Sequence, residues 1–158
     1  AQLDAGAYRS NPEEINFTDL VSACVNEFKN RFPQRVINES IREGVYVLGE
    51  YLLLQMLVNN LIENALKYSP KDAAIKVLVT ESDNKVRLLV SDPGMGIPDS
   101  EKKKVFEKFY RTGDETTRRT KGTGLGLYLC KKIAETHKAN ISVTDNLPTG
   151  TSFAVIFG

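Results

Sequence analysis

The sequence predicts an α+β fold: a two-layer sandwich in which a mixed, mainly antiparallel sheet of about five strands carries three main helices on one face. Two observations lead there. Three segments repeat apolar residues at helical spacing, while several short runs alternate apolar and polar residues as strands do. These helical and strand-like segments do not alternate strictly along the chain, which argues against a doubly wound parallel sheet.

Taken in order, residues 1–16 are polar and turn-rich and read as linker. Asn16 or Thr18 caps a helix reaching about Arg31, with Leu20, Val21, Cys24, Val25 and Phe28 on one stripe, and Pro33 stops it. Two short strand-like runs, Val36–Ser40 and Val45–Gly49, flank a turn at Gly44. From Glu50 to Tyr68 the pattern is helical, with Leu54, Leu57, Val58, Leu61, Ala65 and Tyr68 on the core stripe and Ser69-Pro70 as the stop. Ala74–Ser82 and Lys85–Asp92 then form a hairpin through Asp83-Asn84. A short helix follows near Glu101–Phe106, then the polar stretch RTGDETTRRTKG, then a last helix from Leu125 to about His137. ISVTDN and TSFAVIFG close the chain as a strand pair around Pro148-Thr149-Gly150.

At 158 residues, with 41% hydrophobic and 26% charged residues, the chain is long enough to bury a core. Its net charge of +1 excludes the polybasic field that marks nucleic-acid or anionic-membrane binding. No apolar run reaches the roughly 20 residues that span a bilayer. Cys24 and Cys130 both lie in apolar helical patterns and read as buried free thiols. The abrupt start, AQLDAG without Met, reads as a fragment of something longer.

Three stretches carry chemistry. Asn60 and Asn64 stand one turn apart beside the apolar stripe of the long helix, with Lys67 near them. Asparagine is a poor helix former, so the pair has a reason: either a hydrogen-bonded helix edge, or amide oxygens facing a hard cation whose anion meets Lys67. In DPGMGIP, Asp92 ends a strand and enters a loop with Gly94 and Gly96. The loop is either a tight turn or a wall where a carboxylate meets an exocyclic amine and the glycines admit a flat ring. In GTGLGLYLC, glycines alternate at the mouth of a helix, where they serve close packing or leave backbone N–H groups free for phosphate.

NLIENALKYSP (residues 60–70), DPGMGIP (92–98), FEKFYR (106–111) and KGTGLGL (121–127) resemble, in order and spacing, the N, G1, F and G2 boxes of sensor histidine kinases. The resemblance runs from about Phe17 to the C-terminus and implies the Bergerat ATP-binding sandwich shared with gyrase, MutL-type repair proteins and heat-shock chaperones. By motif, Asn64 ligates Mg²⁺ with Asn60 in or near that shell, and Lys67 meets the phosphates. Tyr68 faces the base or sugar; Asp92 reads the adenine amine beside Gly94, Gly96 and Ile97. Lys121, Gly122, Thr123, Gly124, Leu125, Gly126 and Leu127 form the phosphate seat, Phe106 and Phe109 anchor the ATP lid at about 98–123, and Arg111 is the candidate for the γ-phosphate. Asn60, Lys67 and Arg111 are thus the implied catalytic residues.

In the family's hydrolysing cousins a glutamate occupies the position of Asn60 and activates water; an asparagine there implies a kinase with slow intrinsic hydrolysis. Glu63, the nearest carboxylate, lies about 60° round the helix. His137 lacks the sequence of a phosphoacceptor and reads as a dipole contact near a helix C-terminus. After it, Lys138, Ala139 and Asn140 stand where the family has glycines, and Asn140 is expected to take the left-handed turn conformation. The resemblance therefore implies residues 17–158 as the catalytic ATP-binding domain and 1–16 as the link to an absent dimerisation and phosphoacceptor domain. The implied parent is a cytoplasmic kinase or one anchored in the inner membrane, homodimeric, with a downstream response regulator and no nucleic acid or direct membrane contact. An ATPase or protein serine kinase regulator with the same pocket is the alternative.

Overall fold

The computed structural model describes residues 12–108, 110 and 126–158. Its elements run β1 (Glu13–Asn16), α1 (Phe17–Arg31), β2 (Val36–Ile41), β3 (Tyr46–Gly49), α2 (Tyr51–Tyr68), β4 (Ala74–Ser82), β5 (Lys85–Asp92), a 3₁₀ turn (Asp99–Glu101), α3 (Gly126–Thr136), β6 (Asn140–Asp145) and β7 (Thr151–Phe157). Five strands form the main sheet in the order β2-β4-β5-β7-β6, parallel only between β2 and β4. The mixed, mainly antiparallel sandwich predicted from the sequence is therefore the one observed.

Strand alternation sets the core face. Cross-strand pairing aligns Val77, Val90 and Phe153, and next to them Val79, Leu88 and Val155, so one side of the sheet is continuously apolar. Onto it pack Phe17, Leu20, Val21 and Val25 of α1, Leu54, Leu57, Val58 and Leu61 of α2, and Cys130 and Ile133 of α3, all at most 4% exposed. Between Ser82 and Lys85, Asp83 and Asn84 both have positive φ (54° and 62°), the hairpin turn the sequence predicts. Burial raises the thiols of Cys24 to about 11 and Cys130 to about 12, consistent with inert core residues.

The structure corrects the sequence reading in several places. Residues 13–16, read as linker, form β1, which pairs antiparallel with β3 in a separate two-stranded ribbon. Four residues are too few for periodicity to register, and the strand exists because β3 offers it an edge. Asn16 then caps α1, its side chain accepting from the Asp19 N–H at 3.0 Å. Thr18 instead bridges the Arg42 carbonyl (2.6 Å) and the Val45 N–H (2.9 Å).

The helix expected at 101–106 is a chain of 3₁₀-type turns, with N–H donors bonding carbonyls three residues back at Glu101, Lys104 and Glu107. Tyr68, placed on the core stripe by periodicity, is 37% exposed, whereas Leu53, Ile62 and Leu66 are buried. α2 packs against α1, α3 and the sheet at once, so it buries a wider face than a stripe. After α3, Lys138 (φ +56°) takes the left-handed position and Asn140 opens β6. The Ala139 N–H bonds the Ala134 carbonyl and the Lys138 N–H bonds that of Glu135, closing the helix as a Schellman motif with Lys138 where glycine is usual.

Candidate functional site

The candidate site residues within the described structure lie at one end of the sheet, on the later turns of α2 and at the start of α3. Alternation along β5 puts Asp92 on the same face as Leu88 and Val90, so a carboxylate is drawn under the helices at the strand end. It is 3% exposed, and its Oδ1 accepts from the Gly94 N–H at 2.8 Å. Burial raises its pKa from 3.8 to about 6, with the Gly94 hydrogen bond opposing the shift. The carboxyl is thus held in a weakly solvated position with lone pairs to spare.

The loop after Asp92 is braced on both sides. On one, a Cβ at Gly94 would lie 2.0 Å from the Tyr68 carbonyl oxygen at the end of α2, so only glycine fits. On the other, the β6–β7 turn supports it: Asn146 Nδ2 donates to the Asp92 carbonyl (3.0 Å) and Thr149 Oγ1 to that of Pro93 (3.3 Å). A Cβ at Gly150 (φ +110°) would come within 1.8 Å of the Asp92 carbonyl oxygen. Lys102 Nζ bonds the Ile97 carbonyl (3.0 Å) and pairs with Asp145 (2.9 Å) and Asp99, tying the loop's far end to β6. An open cleft of about 360 Å³ borders Gly96, Ile97, Asn146 and Gly150, but none of Asn60, Asn64, Lys67 or Asp92 lines it.

On α2, Asn60 and Asn64 are half-buried one turn apart, and Lys67 and Tyr68 are exposed on the last turn. Glu63 is also exposed. A Cβ built on Gly126, the first residue of α3, would stand 4.0 Å from Asn60 Oδ1, so the amide faces the helix mouth across the gap between elements. Leu127 and Ile97 are half-buried and pack against the core. Phe106 meets Phe153 edge-on at 5.9 Å. The structure therefore brings Asn60 to Gly126, and Tyr68 to Gly94 and Asp92. Phe109, Arg111, Lys121, Gly122, Thr123, Gly124 and Leu125 lie outside the described residues.

His137 does something other than a dipole contact. Its Nε2 accepts from the Glu50 N–H at 3.1 Å and its Nδ1 lies 2.8 Å from the Ile133 carbonyl, which together assign the neutral Nδ1–H tautomer. The ring links the start of α2 to the end of α3, packed so close to Gly49 that a Cβ there would come within 2.4 Å. Sequence reasoning also missed Asn146, Gly150 and Thr151. Thr151 is 5% exposed and sits directly opposite Asp92 in the β5–β7 register. In the sequence Thr151 reads only as the first residue of the closing strand, after the turn at Pro148-Thr149-Gly150.

The donor chemistry suits a magnesium ion that arrives with a nucleotide. Among the described residues, no group of three His, Cys, Asp or Glu side chains could hold a metal. Asn60 and Asn64 would offer such an ion two neutral amide oxygens, leaving most of its coordination to water and phosphate, as Mg²⁺ prefers.

Residues 49–157 match the family described as histidine kinase-, DNA gyrase B- and HSP90-like ATPase. Sensor protein CiaH of Streptococcus pneumoniae is 43% identical over 109 residues, covering 69% of this chain and 24% of that protein. The signal transduction histidine-protein kinase BaeS of Escherichia coli is 31% identical over 154 residues, 96% of this chain and 33% of that one. The chain thus spans about a quarter to a third of these relatives. Among solved structures, the mycobacterial sensor histidine kinase MprB superposes with a TM-score of 0.83 at 26% identity, covering 93% of this chain and 97% of that one. The catalytic domain of histidine kinase ThkA gives 0.80 at 26% identity over the same shares. The chain belongs to the histidine kinase-, DNA gyrase B- and HSP90-like ATPase family, as an ATP-binding catalytic module of the sensor histidine kinase type.

Proposed function

We propose that this module holds Mg·ATP between α2, the Asp92–Pro98 loop and the mouth of α3, and presents its γ-phosphoryl group to a histidine on a dimerisation domain of a longer kinase. The observation that carries the reading is the Asn60 amide facing Gly126, because it joins the helix with the candidate magnesium ligands to the glycine run of the phosphate seat. Asp92 accepts the exocyclic amine of adenine, Gly94, Gly96 and Ile97 shape the wall for the ring, and Tyr68 covers its edge. Asn64 with Asn60 takes the metal, Lys67 meets the phosphates, residues 121–127 supply backbone N–H groups at a helix N-terminus, and Phe109 and Arg111 complete the lid. Bound Mg²⁺ supplies charge neutralisation across the phosphates.

The chain's own residues position and neutralise, which is most of what phosphoryl transfer requires. An acceptor imidazole nitrogen forms the P–N bond as the bond from the γ-phosphorus to the ADP oxygen breaks. Water is a poor competitor, since neither asparagine is a base and Glu63 points to solvent. His137 is no acceptor: both ring nitrogens are engaged between helices. The parent is a cytoplasmic or inner-membrane-anchored homodimer passing phosphate to a response regulator; among the described residues no helix is long and apolar enough to cross a membrane.

Calorimetric titration with ADP, with and without Mg²⁺, tests the site. The wild-type chain binds in a magnesium-dependent manner, Asn64→Ala loses that dependence, and Asp92→Ala loses preference for adenine over guanine nucleotides. With γ-labelled ATP, label appears only on an added dimerisation domain, and hydrolysis without it stays well below about one turnover per second. Absence of nucleotide affinity, or label on this chain alone, defeats the reading.

A further inference from the structure

We propose that Arg35, in the turn between α1 and β2, is a positioning residue that sets the end of α2 against the Asp92–Pro98 loop; the inference rests on the ATP-site reading above. A helix leaves its last carbonyls without partners. At the end of α2, Ser69 Oγ donates to the Ala65 carbonyl at 2.7 Å. Arg35 takes the next carbonyl and braces the residues beyond the helix: Nη1 donates to the Leu66 carbonyl (3.0 Å), and Nη2 to Ser69 Oγ (2.9 Å) and to the Pro70 carbonyl (3.3 Å). Its Nε is buried with no hydrogen-bond partner among the described residues, so the side chain is held by its two terminal nitrogens. A cation here also meets the negative end of the helix dipole.

What this fork holds is the turn bearing Lys67 and Tyr68. The Tyr68 carbonyl abuts Gly94 with no room for a Cβ, and the Gly94 N–H bonds the Asp92 carboxylate. A shift at the end of α2 therefore passes through one backbone contact to the group proposed to read adenine. The planar fork of arginine serves these acceptors together, and a lysine cannot.

The test compares Arg35→Ala and Arg35→Lys with Val25→Ala, a buried α1 residue outside the proposed site, used as a control for general loss of stability. ADP dissociation constants come from calorimetry, and local opening from amide exchange at Lys67, Tyr68 and Ser69. Arg35→Ala weakens ADP about tenfold and speeds exchange in that turn, as loss of charge-assisted hydrogen bonds requires. Arg35→Lys recovers charge but not the fork, and its affinity stays closer to the alanine variant. Val25→Ala lowers stability and leaves the dissociation constant unchanged. If Arg35→Ala does not fold, Arg35→Lys and Ser69→Ala read out the same clamp. An Arg35→Ala dissociation constant within about twofold of wild type, a difference smaller than one lost hydrogen bond, overturns the proposal; so does an equal loss in Val25→Ala. A wild-type chain that binds no ADP overturns the ATP-site reading and this one with it, whereas wild-type binding with unaltered variants overturns the role of Arg35 alone.

Discussion

Asp92 shows how the burial of a single carboxylate costs stability. Its folded carboxyl titrates at about 6, above the 3.8 of an unperturbed aspartate, because burial penalises the ion. Between those values the folded protein keeps a proton that the unfolded chain releases, so stability falls as pH rises from about 4 to 6, and the penalty is complete above 6. Asp92→Asn keeps the shape and an acceptor for the Gly94 N–H but carries no charge. It is expected to stabilise the chain by roughly 3 kcal/mol at pH 7.5, with little gain at pH 4, while losing adenine selectivity. Urea unfolding at the two pH values checks this; equal effects at both would sink it. At this scale the motif residues were legible, because Asp92, Gly94, Asn60 and Asn64 are unusual where they stand. Arg35, Asn146 and Thr151 were not: their partners are 31–59 residues distant in the chain, and nothing local marks them.

At the scale of elements, the three helices and both late hairpins followed from periodicity and turn residues, and the observed ends differ by a residue or so. The failures are short pieces stabilised by neighbours: β1, which needs β3, and the 3₁₀ turns after Pro98. The end of α3 is the instructive one. Its Schellman geometry demands a left-handed residue one position after the cap, and the chain supplies Lys138. A side chain in that conformation is strained by about 1 kcal/mol, so Lys138→Gly is expected to stabilise the protein by roughly 0.5–1 kcal/mol despite the added freedom of the unfolded chain. Thermal denaturation at neutral pH measures it, and a lower melting temperature contradicts it. His137, one residue earlier, belongs to the same junction, and its ring accepts from the N–H of Glu50, the residue that precedes α2.

In the whole molecule, the five-stranded sheet is the floor on which the helices pack. β7 lies between β5 and β6, and Phe153 on it is 2% exposed beneath Phe106. Phe153→Ala is expected to cost about 3–5 kcal/mol and to increase amide exchange in residues 102–108, which lose their anchor on the sheet. A cost under about 1 kcal/mol would mean that this contact is peripheral to the core. By itself the sequence determined the local quantities: which segments are helices and strands, which face of each is apolar, and which residue types can meet a phosphate, a cation or an amine. These follow from backbone periodicity and side-chain chemistry acting over a few residues. Only the tertiary structure decided the strand order β2-β4-β5-β7-β6, the ribbon of β1 and β3, and the two close approaches, of Gly126 to Asn60 and of Gly94 to the Tyr68 carbonyl and Asp92. Those outcomes are set by long-range packing, where close approach of two backbones is favourable only once every intervening element is in place.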